Sequence, residues 1–470
     1  MQHANRAGVA ELPLLKQAHR HPVSGRPLPG ERYTSAAFAD VEMERMWAKV
    51  WLLLGREDHI PEPGDYQVES VGPESIIKVR QDDGAIRAFY NVCPHRGNRL
   101  ISHDWGSSDR FVCPYHAWRF DIDGKLVSAP DRENFMSGDP CGKIGLTEIA
   151  CETFAGFIWV NMDPDCGSLR DFLGPVWDRW SAYPLANMKR YLALTARMPC
   201  NWKVVQDNFT ESYHVQTVHP QAAWVVEDNY RHMTEIAFAE GHCYAQPRGG
   251  TVASRLRQAI EAPLAQDHEL VEPLQGILRD WGLDPQQFVG REAEIREALQ
   301  QQKRKVGLEK GRDHYRQLSD EQLTDYCHYS IFPNISMTIT ADGIHFLRVR
   351  PHATDPAQSL FDNWFYAMEP EEPTAIIGTP GGPVRADEEV VHHVFDYGER
   401  SLGPVVDQDS GIMQAQQLGF MSRGYKGSYL ANEERRLLHF HDVLDEYIAG
   451  VRPLPAAAGE KAQVILNQAV

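Results

Sequence analysis

Short β-like runs rich in apolar residues fill the chain between about residues 50 and 160. "YQVESV", "SIIKVR" and "GFIWVNM" are three of these runs, and turn sequences such as "DIDG" separate them. Short runs of this kind, bounded by turn sequences, are typical of β-strands. This stretch is therefore predicted to form a small all-β unit.

Helical spacing of apolar residues begins near residue 165, and strands return near residue 335. The charged, Gln-rich stretch 252–326 predicts a helical insertion, either a lid over a site or a solvated hairpin with no role there. "NISMTIT", "GIHFLRVRP" and "LFDNWFYAM" are predicted strands, and "NEERRLLHFHDVLDEYIAG" is a predicted amphipathic helix. An antiparallel sheet with helices is expected here.

These patterns predict an α+β protein with two main domains. An N-terminal segment, 1–45, is expected to pack on the second domain, and a small all-β domain follows over 46–165. A larger domain covers 166–455, and 456–470 is a C-terminal tail. Because one hydrophobic core usually serves at most about 250–300 residues, a chain of 470 residues is expected to have two cores.

The composition of the chain limits the kinds of molecule that it is expected to bind. The chain has 42% hydrophobic and 24% charged residues, as soluble globular proteins do. Its net charge of −18 disfavours nucleic acid or an anionic membrane as the main partner. Neither a signal peptide nor an apolar run of about 18 residues is visible, so a cytoplasmic location is expected. Eight cysteines are too few for a disulfide scaffold and are better candidates for metal ligands.

Two loops each carry one cysteine and one histidine. "CPHRGNRL" supplies Cys93 and His95, "CPYHAWRFD" supplies Cys113 and His116, and 17 residues separate His95 from Cys113. A Rieske [2Fe–2S] cluster is held by two Cys on one iron and two His on the other. Structural zinc also uses two Cys and two His, but it usually takes both histidines from one helix. The pattern therefore favours a Rieske cluster over zinc.

The stretch "DNFTESYHVQTVHP" carries His214 and His219, five residues apart. On an ideal helix they would point about 140° apart, so both can face one ion only if the helix bends or ends between them. Pro220 disfavours helical geometry at His219 and makes such an end plausible. Glu211 precedes His214 by three residues and is placed to orient its imidazole. Alone, such a pair is more often structural than metal-binding.

Together, the two constellations resemble the large subunit of Rieske non-haem iron ring-hydroxylating oxygenases over nearly the whole chain. The resemblance rests on the spacing of the Cys and His ligands and on "NWKVVQDNFTESYHVQTVHP". It implies a catalytic domain of helix-grip (START-like) fold and a mononuclear Fe(II) held by His214, His219 and Asp409. Asp407 is the alternative carboxylate, although its expected role is a helix cap.

The resemblance also implies a terminal oxygenase that uses O₂ to mono- or dioxygenate, or to dealkylate, an aromatic or related small substrate. Electrons would come from NAD(P)H through a reductase, with or without a ferredoxin. Family members are usually homotrimers or α₃β₃ hexamers, in which Glu211 would link His116 of one subunit to His214 of the next. The motif places Asn208 and Tyr213 at the catalytic site. Trp224 and Met337 are expected to contact the substrate.

Two other functions remain open at this point. Glu at position 211, where many aromatic dioxygenases have Asp, is also found in family members that oxidise choline, betaine or carnitine. An oxygenase of a quaternary ammonium compound is therefore an alternative, and it would need an aromatic cage, for which Trp224, Tyr230 and Trp364 are candidates. A non-catalytic ligand-binding or electron-transfer protein is the third possibility, and the complete ligand set argues against it.

Overall fold

The computed structural model of the chain describes residues 27–260, 270–452 and 463–467. Two short helices, α1 (Glu31–Thr34) and α2 (Ala36–Arg45), come first. The Ser35 side chain caps α2 by accepting a backbone N–H. Arg32 of α1 forms an ion pair of 2.6 Å with Asp445 of the larger domain. The described part of the predicted N-terminal segment thus lies on that domain, and residues 1–26 fall outside the described residues.

The small domain is built from ten strands in two sheets. In chain order they are β1 (Leu52–Arg56), β2 (Asp65–Val71), β3 (Glu74–Arg80), β4 (Ile86–Tyr90), β5 (Trp105–Ser107), β6 (Arg110–Val112), β7 (Arg119–Asp121), β8 (Leu126–Ser128), β9 (Glu148–Phe154) and β10 (Phe157–Asn161). The order is β1-β10-β9-β4-β3-β2-β5 in one sheet and β6-β7-β8 in the other. Cys93 and Cys113 lie in the hydrophobic core of this domain. The predicted all-β unit is confirmed.

The larger domain combines helices with a nine-stranded sheet. In chain order its elements are α3 (Leu169–Leu173), α4 (Pro175–Ser181), β11 (Lys189–Met198), α5 (Trp202–Thr210), α6 (Val215–Val218), β12 (Thr234–Phe238), β13 (Cys243–Gln246), α7 (Ser254–Ile260), α8 (Leu274–Asp280), α9 (Ile295–Val306), α10 (Asp320–Thr324), β14 (Cys327–Ile331), β15 (Ile335–Ile339), β16 (Gly343–Pro351), β17 (Ser359–Ala367), β18 (Ile376–Thr379), β19 (Gly382–Arg385), β20 (His393–Asp396), α11 (Pro404–Phe420), α12 (Arg435–Ile448) and β21 (Gln463–Asn467).

This sheet has the order β20-β11-β17-β16-β15-β14-β13-β12-β21, antiparallel except where β20 joins β11. One face carries Ile335, Met337 and Ile339 and packs against aromatic residues that include Trp159 of the small domain. The other face packs against α5, α11 and α12. The predicted antiparallel sheet with helices is confirmed.

A buried charge network joins the two domains. Arg348 of β16 contacts Asp362 at 2.7 Å and, across the domain boundary, Glu69 at 2.6 Å. Lys78 contacts Glu69 from the other side at 2.5 Å. Although burial opposes it, the neighbouring cations hold the pKa of Glu69 well below its usual range. The network therefore anchors the small domain on the sheet through paired charges.

Two predicted segments differ in detail from expectation. The described residues of the 252–326 insertion form α7 to α10; α7, α8 and α9 pack around a small core of their own, whereas Leu323 of α10 packs into the core beneath the sheet, and 261–269 lie outside the described residues. The predicted tail contains strand β21, which pairs antiparallel with β12 at the edge of the sheet. The run "QVILN" does not alternate apolar and polar residues, so its pattern does not predict a strand; the open edge of β12 supplies its partner. Within the described ranges, no helix is both long and apolar enough to cross a membrane.

Candidate iron sites

The two cysteine loops share one backbone turn. In each loop the cysteine N–H donates to the carbonyl five residues later, and the cysteine carbonyl accepts the N–H four residues later. These groups belong to Asn98 and Gly97 for Cys93, and to Trp118 and Ala117 for Cys113. Gly97 and Ala117 have φ of 73° and 55°, the left-handed conformation that folds each loop back on itself. The repeated turn presents two equivalent cysteines side by side.

The histidines of these loops meet beside the buried thiols. The ring centroids of His95 and His116 are 4.7 Å apart, and His95 stacks on Trp118 at 4.6 Å. Both Nδ1 atoms are buried and have no hydrogen-bond partner in the described chain. A buried nitrogen without a partner is costly unless a ligand satisfies it. Cys93 and Cys113 are buried free thiols, so the four side chains fit a [2Fe–2S] cluster.

A carboxylate shapes the second constellation. Helix α5 ends at Thr210, and Glu211 is extended, with φ −119° and ψ 175°. Its carboxylate accepts the backbone N–H groups of Tyr213 and His214, which competes with helical hydrogen bonding. The one-turn helix α6 then lies between His214 and His219, which occupy its two capping positions. The prediction that Glu211 and His214 are neighbours on one helix is wrong, because the helix ends at Thr210. Their side chains are nevertheless in contact.

Three ligand atoms converge between α6 and α11. Asp409 Oδ1 lies 3.3 Å from His214 Nε2 and 2.8 Å from His219 Nε2, and the potential ligand atoms of the three residues lie within 4.8 Å of one another. The other ring nitrogens are engaged, His214 Nδ1 by Glu211 at 2.5 Å and His219 Nδ1 by Gln408 at 2.8 Å. Both Nε2 atoms are thereby oriented toward one point. This donor set fits a mononuclear iron with a two-His-one-carboxylate triad.

Asp409 is buried beside the two histidines and held there by a hydrogen bond, whereas Asp407 lies away from them. Asn208 donates to Asp409 Oδ1 at 3.1 Å. Burial pushes the pKa of Asp409 upward, but hydrogen bonds from the two histidines bring it below its usual value. Asp407 instead accepts the N–H of Leu402 at 2.8 Å, at the beginning of α11. The structure therefore places Asp409 at the histidine pair and Asp407 in the first turn of α11, where its carboxylate holds the segment that precedes the helix and does not cap it, since the N-cap is Gly403.

Three side chains that the sequence predicted to serve catalysis or to contact the substrate lie outside the cluster of His214, His219 and Asp409. Tyr213 is 51% exposed, and the contact it makes with Glu211 is through its backbone. Met337 is fully buried on the face of the sheet opposite α5, so the expectation that it contacts substrate is wrong. Trp224 packs, partly buried, against the core of the helical insertion.

The candidate aromatic cage is also dispersed. Trp364 lies on the same far face of the sheet as Met337, 5.5 Å from the ring of Phe346. Tyr230 lies beneath the Arg231 guanidinium at 5.7 Å. Together with the position of Trp224, this puts the three candidate rings in separate surroundings.

Residues of the sheet beneath the site were missed by sequence reasoning. His328, Thr338 and His345 are paired neighbours on β14, β15 and β16. The alternation in "NISMTIT" could have pointed to Thr338, because it puts Thr338 on the face opposite Met337, but it says nothing of His328 and His345 on the neighbouring strands. Histidine within a strand carries no further local signal.

Comparison with known proteins identifies both regions. A family model of the ring-hydroxylating alpha subunit (catalytic domain) matches residues 185–450, and a Rieske [2Fe-2S] domain model matches residues 50–149. The Rieske match favours the cluster over the zinc alternative. Both matched ranges fall within the domains expected from the sequence.

The chain is similar to oxygenase subunits of two substrate types. It is 34% identical over 230 residues to the carnitine monooxygenase oxygenase subunit of Escherichia coli K12, covering 48% of this chain and 61% of that one. It is 38% identical over 187 residues to the large oxygenase component of the naphthalene 1,2-dioxygenase system of Pseudomonas aeruginosa, covering 38% and 41%. The match thus spans about three fifths of the carnitine monooxygenase subunit.

Solved structures show the same fold. A quaternary ammonium Rieske monooxygenase superposes with a TM-score of 0.62 at 21% identity, covering 90% of this chain and 95% of that chain. A naphthalene 1,2-dioxygenase from Rhodococcus sp. bound to indole gives 0.60 at 17% identity, covering 91% and 95%.

Proposed function

Because this chain belongs to the family of ring-hydroxylating alpha subunits, we propose that it is the terminal oxygenase of a multicomponent system. It uses O₂ and electrons from NAD(P)H to hydroxylate or dealkylate an aromatic or related small organic substrate. The convergence of two imidazoles and one carboxylate within 4.8 Å carries this proposal. A non-catalytic binding or electron-transfer protein would not need that triad.

The ligands are assigned in two groups. Cys93, Cys113, His95 and His116 hold the [2Fe–2S] cluster, and His214, His219 and Asp409 hold the Fe(II). Three protein ligands leave coordination positions open on such an ion, which supplies the O₂ chemistry when bound.

The surrounding side chains keep the triad in place. Glu211 and Gln408 fix the two imidazoles with Nε2 toward the metal position, and Asn208 fixes Asp409. His219 and Asp409 are only 5% and 2% exposed. Low water access strengthens these polar contacts and protects reactive species.

The assembly we propose is a homotrimer or an α₃β₃ hexamer, served by a reductase with or without a ferredoxin. His116 is half-buried at the surface of the small domain, next to Tyr115, which is 53% exposed. Glu211 lies beside the exposed Tyr213 and has a 10% exposed side chain already bonded to His214. A carboxylate accepts several hydrogen bonds, so Glu211 can also bind a histidine of a neighbouring subunit. This supports Glu211 as the link from His116 of one subunit to His214 of the next.

An oxygenase of a quaternary ammonium compound is the second candidate. The similarity to carnitine monooxygenase subunits and the presence of Glu211 favour it. The separate surroundings of Trp224, Tyr230 and Trp364 speak against a cage formed by these residues.

A reconstituted turnover assay tests the proposal. The metal-loaded protein and a surrogate reductase are screened with arenes, aryl ethers and quaternary ammonium compounds for substrate-dependent NADH and O₂ consumption, and products are identified. We expect one class to give an oxygenated or dealkylated product, and Asp409→Ala to lose it while keeping the cluster absorbance. Fully loaded protein that forms no product with any class would contradict the proposal.

A further inference from the structure

One row of side chains crosses the sheet beneath the proposed iron ligands. This pocket-floor row consists of His328, Thr338, His345 and Phe365, which are paired neighbours on β14, β15, β16 and β17. Paired neighbours point to one face of a sheet. Ser336, on the same face as Thr338, donates to the carbonyl of Phe209 in α5 at 3.3 Å. The row therefore lies on the side of α5, whose chain continues directly into Glu211 and His214.

The pocket-floor row is more open than its surroundings. All four of its side chains are half-buried. The next row on the same face is buried, and it consists of Ser330, Ser336, Leu347 and Asn363. The pair Thr338–His345 lies one pair before the end of the β15–β16 ladder, so the half-buried row marks where the covered face of the sheet opens. This end of the face also lies close to the helix that carries Asp409, because Asn363, the hydrogen-bond partner of His345, donates to the carbonyl of Leu402, two residues before α11 begins.

His345 has a fixed tautomer. Asn363 donates its Nδ2 hydrogen to the Leu402 carbonyl at 2.6 Å, which turns its Oδ1 toward His345. His345 Nε2 lies 2.9 Å from that oxygen and must donate to it. Burial lowers the pKa of His345, which keeps the ring neutral, despite opposing effects of Asn363 and Asp409. A neutral ring with its hydrogen on Nε2 leaves Nδ1 as a hydrogen-bond acceptor.

From this geometry we infer that the substrate carries a hydroxyl or N–H group, which donates to His345 Nδ1 while its carbon skeleton packs on Phe365. The inference rests on the proposed function of the iron site and narrows its substrate class. A bare hydrocarbon placed over the ring would remove this acceptor from water without pairing it, which a site of this kind penalises. A quaternary ammonium group has no hydrogen to donate, so a substrate of that class would meet this requirement only through a separate hydroxyl.

Paired probes and three variants test the inference. Phenol carries the donor, and anisole is its methyl ether without one. Binding of both to the metal-loaded protein is measured by titration calorimetry, alongside O₂ uptake. The variants are His345→Phe, which removes the acceptor, His345→Gln, which keeps one, and Met337→Leu, a control on the opposite face of the neighbouring strand. Unfolding curves verify that each variant is folded.

We expect the wild type and Met337→Leu to bind phenol about tenfold more tightly than anisole, as one buried hydrogen bond warrants. His345→Phe should bind the two within about twofold, and His345→Gln should keep most of the preference. Equal binding by the wild type, binding of neither probe, or an unchanged preference in His345→Phe would overturn the inference. A preference that depends on His345, without O₂ uptake for any substrate, would instead refute the proposed function alone.

Discussion

The Glu211 carboxylate has two proposed roles, to orient His214 and to link two subunits, and substitutions of Glu211 can separate them. It accepts hydrogen bonds from the backbone N–H groups of Tyr213 and His214 and from His214 Nδ1. Loss of an outer partner of a metal-bound histidine typically reduces metal affinity or activity by about 10- to 100-fold. His219, Asp409 and their partners are untouched by the change. Glu211→Ala should therefore keep both metal centres at saturating iron, with iron affinity about tenfold weaker.

Turnover should fall much further, by well over about 100-fold, because the link between the subunits is lost as well as the orientation of His214. Glu211→Gln is the matched control, since its amide oxygen can still accept from His214 Nδ1 but carries no charge. Iron and sulfide content, cluster absorbance and NADH-driven product formation are measured for both variants. Normal product formation by Glu211→Ala would refute the link. Turnover of Glu211→Gln within about tenfold of the wild type would show that the carboxylate only positions His214.

Three further changes have defined outcomes. Asp409→Ala should lose the mononuclear iron, measured by metal analysis, whereas Asp407→Ala should keep it and lose only about 1 kcal/mol of stability with its hydrogen bond from the Leu402 N–H; iron retention by Asp409→Ala would contradict the assignment. Tyr33 donates to the buried Asp207 of α5 at 2.6 Å, so Tyr33→Phe should reduce the free energy of unfolding in denaturant by about 1.5–3 kcal/mol, and an unchanged value would argue against that contact. The pKa of Glu69 is held low by its cationic neighbours despite burial, so its stabilisation is present above its unfolded pKa of about 4.3 and is lost as pH falls further. The difference in unfolding free energy between wild type and Glu69→Gln should therefore shrink from about pH 7 to about pH 3, and a constant difference would contradict this.

Residues whose chemistry requires a particular spacing could be predicted from the sequence. Cys93, His95, Cys113 and His116 stand in a spacing that few structures other than a Rieske cluster require. Period-two alternation likewise predicted β15, and the two runs that follow it were predicted as strands and form β16 and β17.

Features that depend on tertiary contacts could not be predicted from the sequence. Local pattern does not show that the Glu211 side chain ends α5 by taking backbone N–H groups, nor that Met337 faces away from the site. Which face of a sheet meets the iron-bearing helices is decided by packing of distant segments. The acceptor role of His345 depends on Asn363 and Leu402, which lie 18 and 57 positions later in the chain.

The central claim is that one chain holds a Rieske cluster and a separate mononuclear iron. Quantitative iron and acid-labile sulfide analysis of the reconstituted protein, with the same analysis of His214→Ala, tests it most directly. The account predicts about three irons and two sulfides per chain, and loss of about one iron with no loss of sulfide in His214→Ala. Two irons in both proteins, or loss of sulfide in the variant, would contradict it.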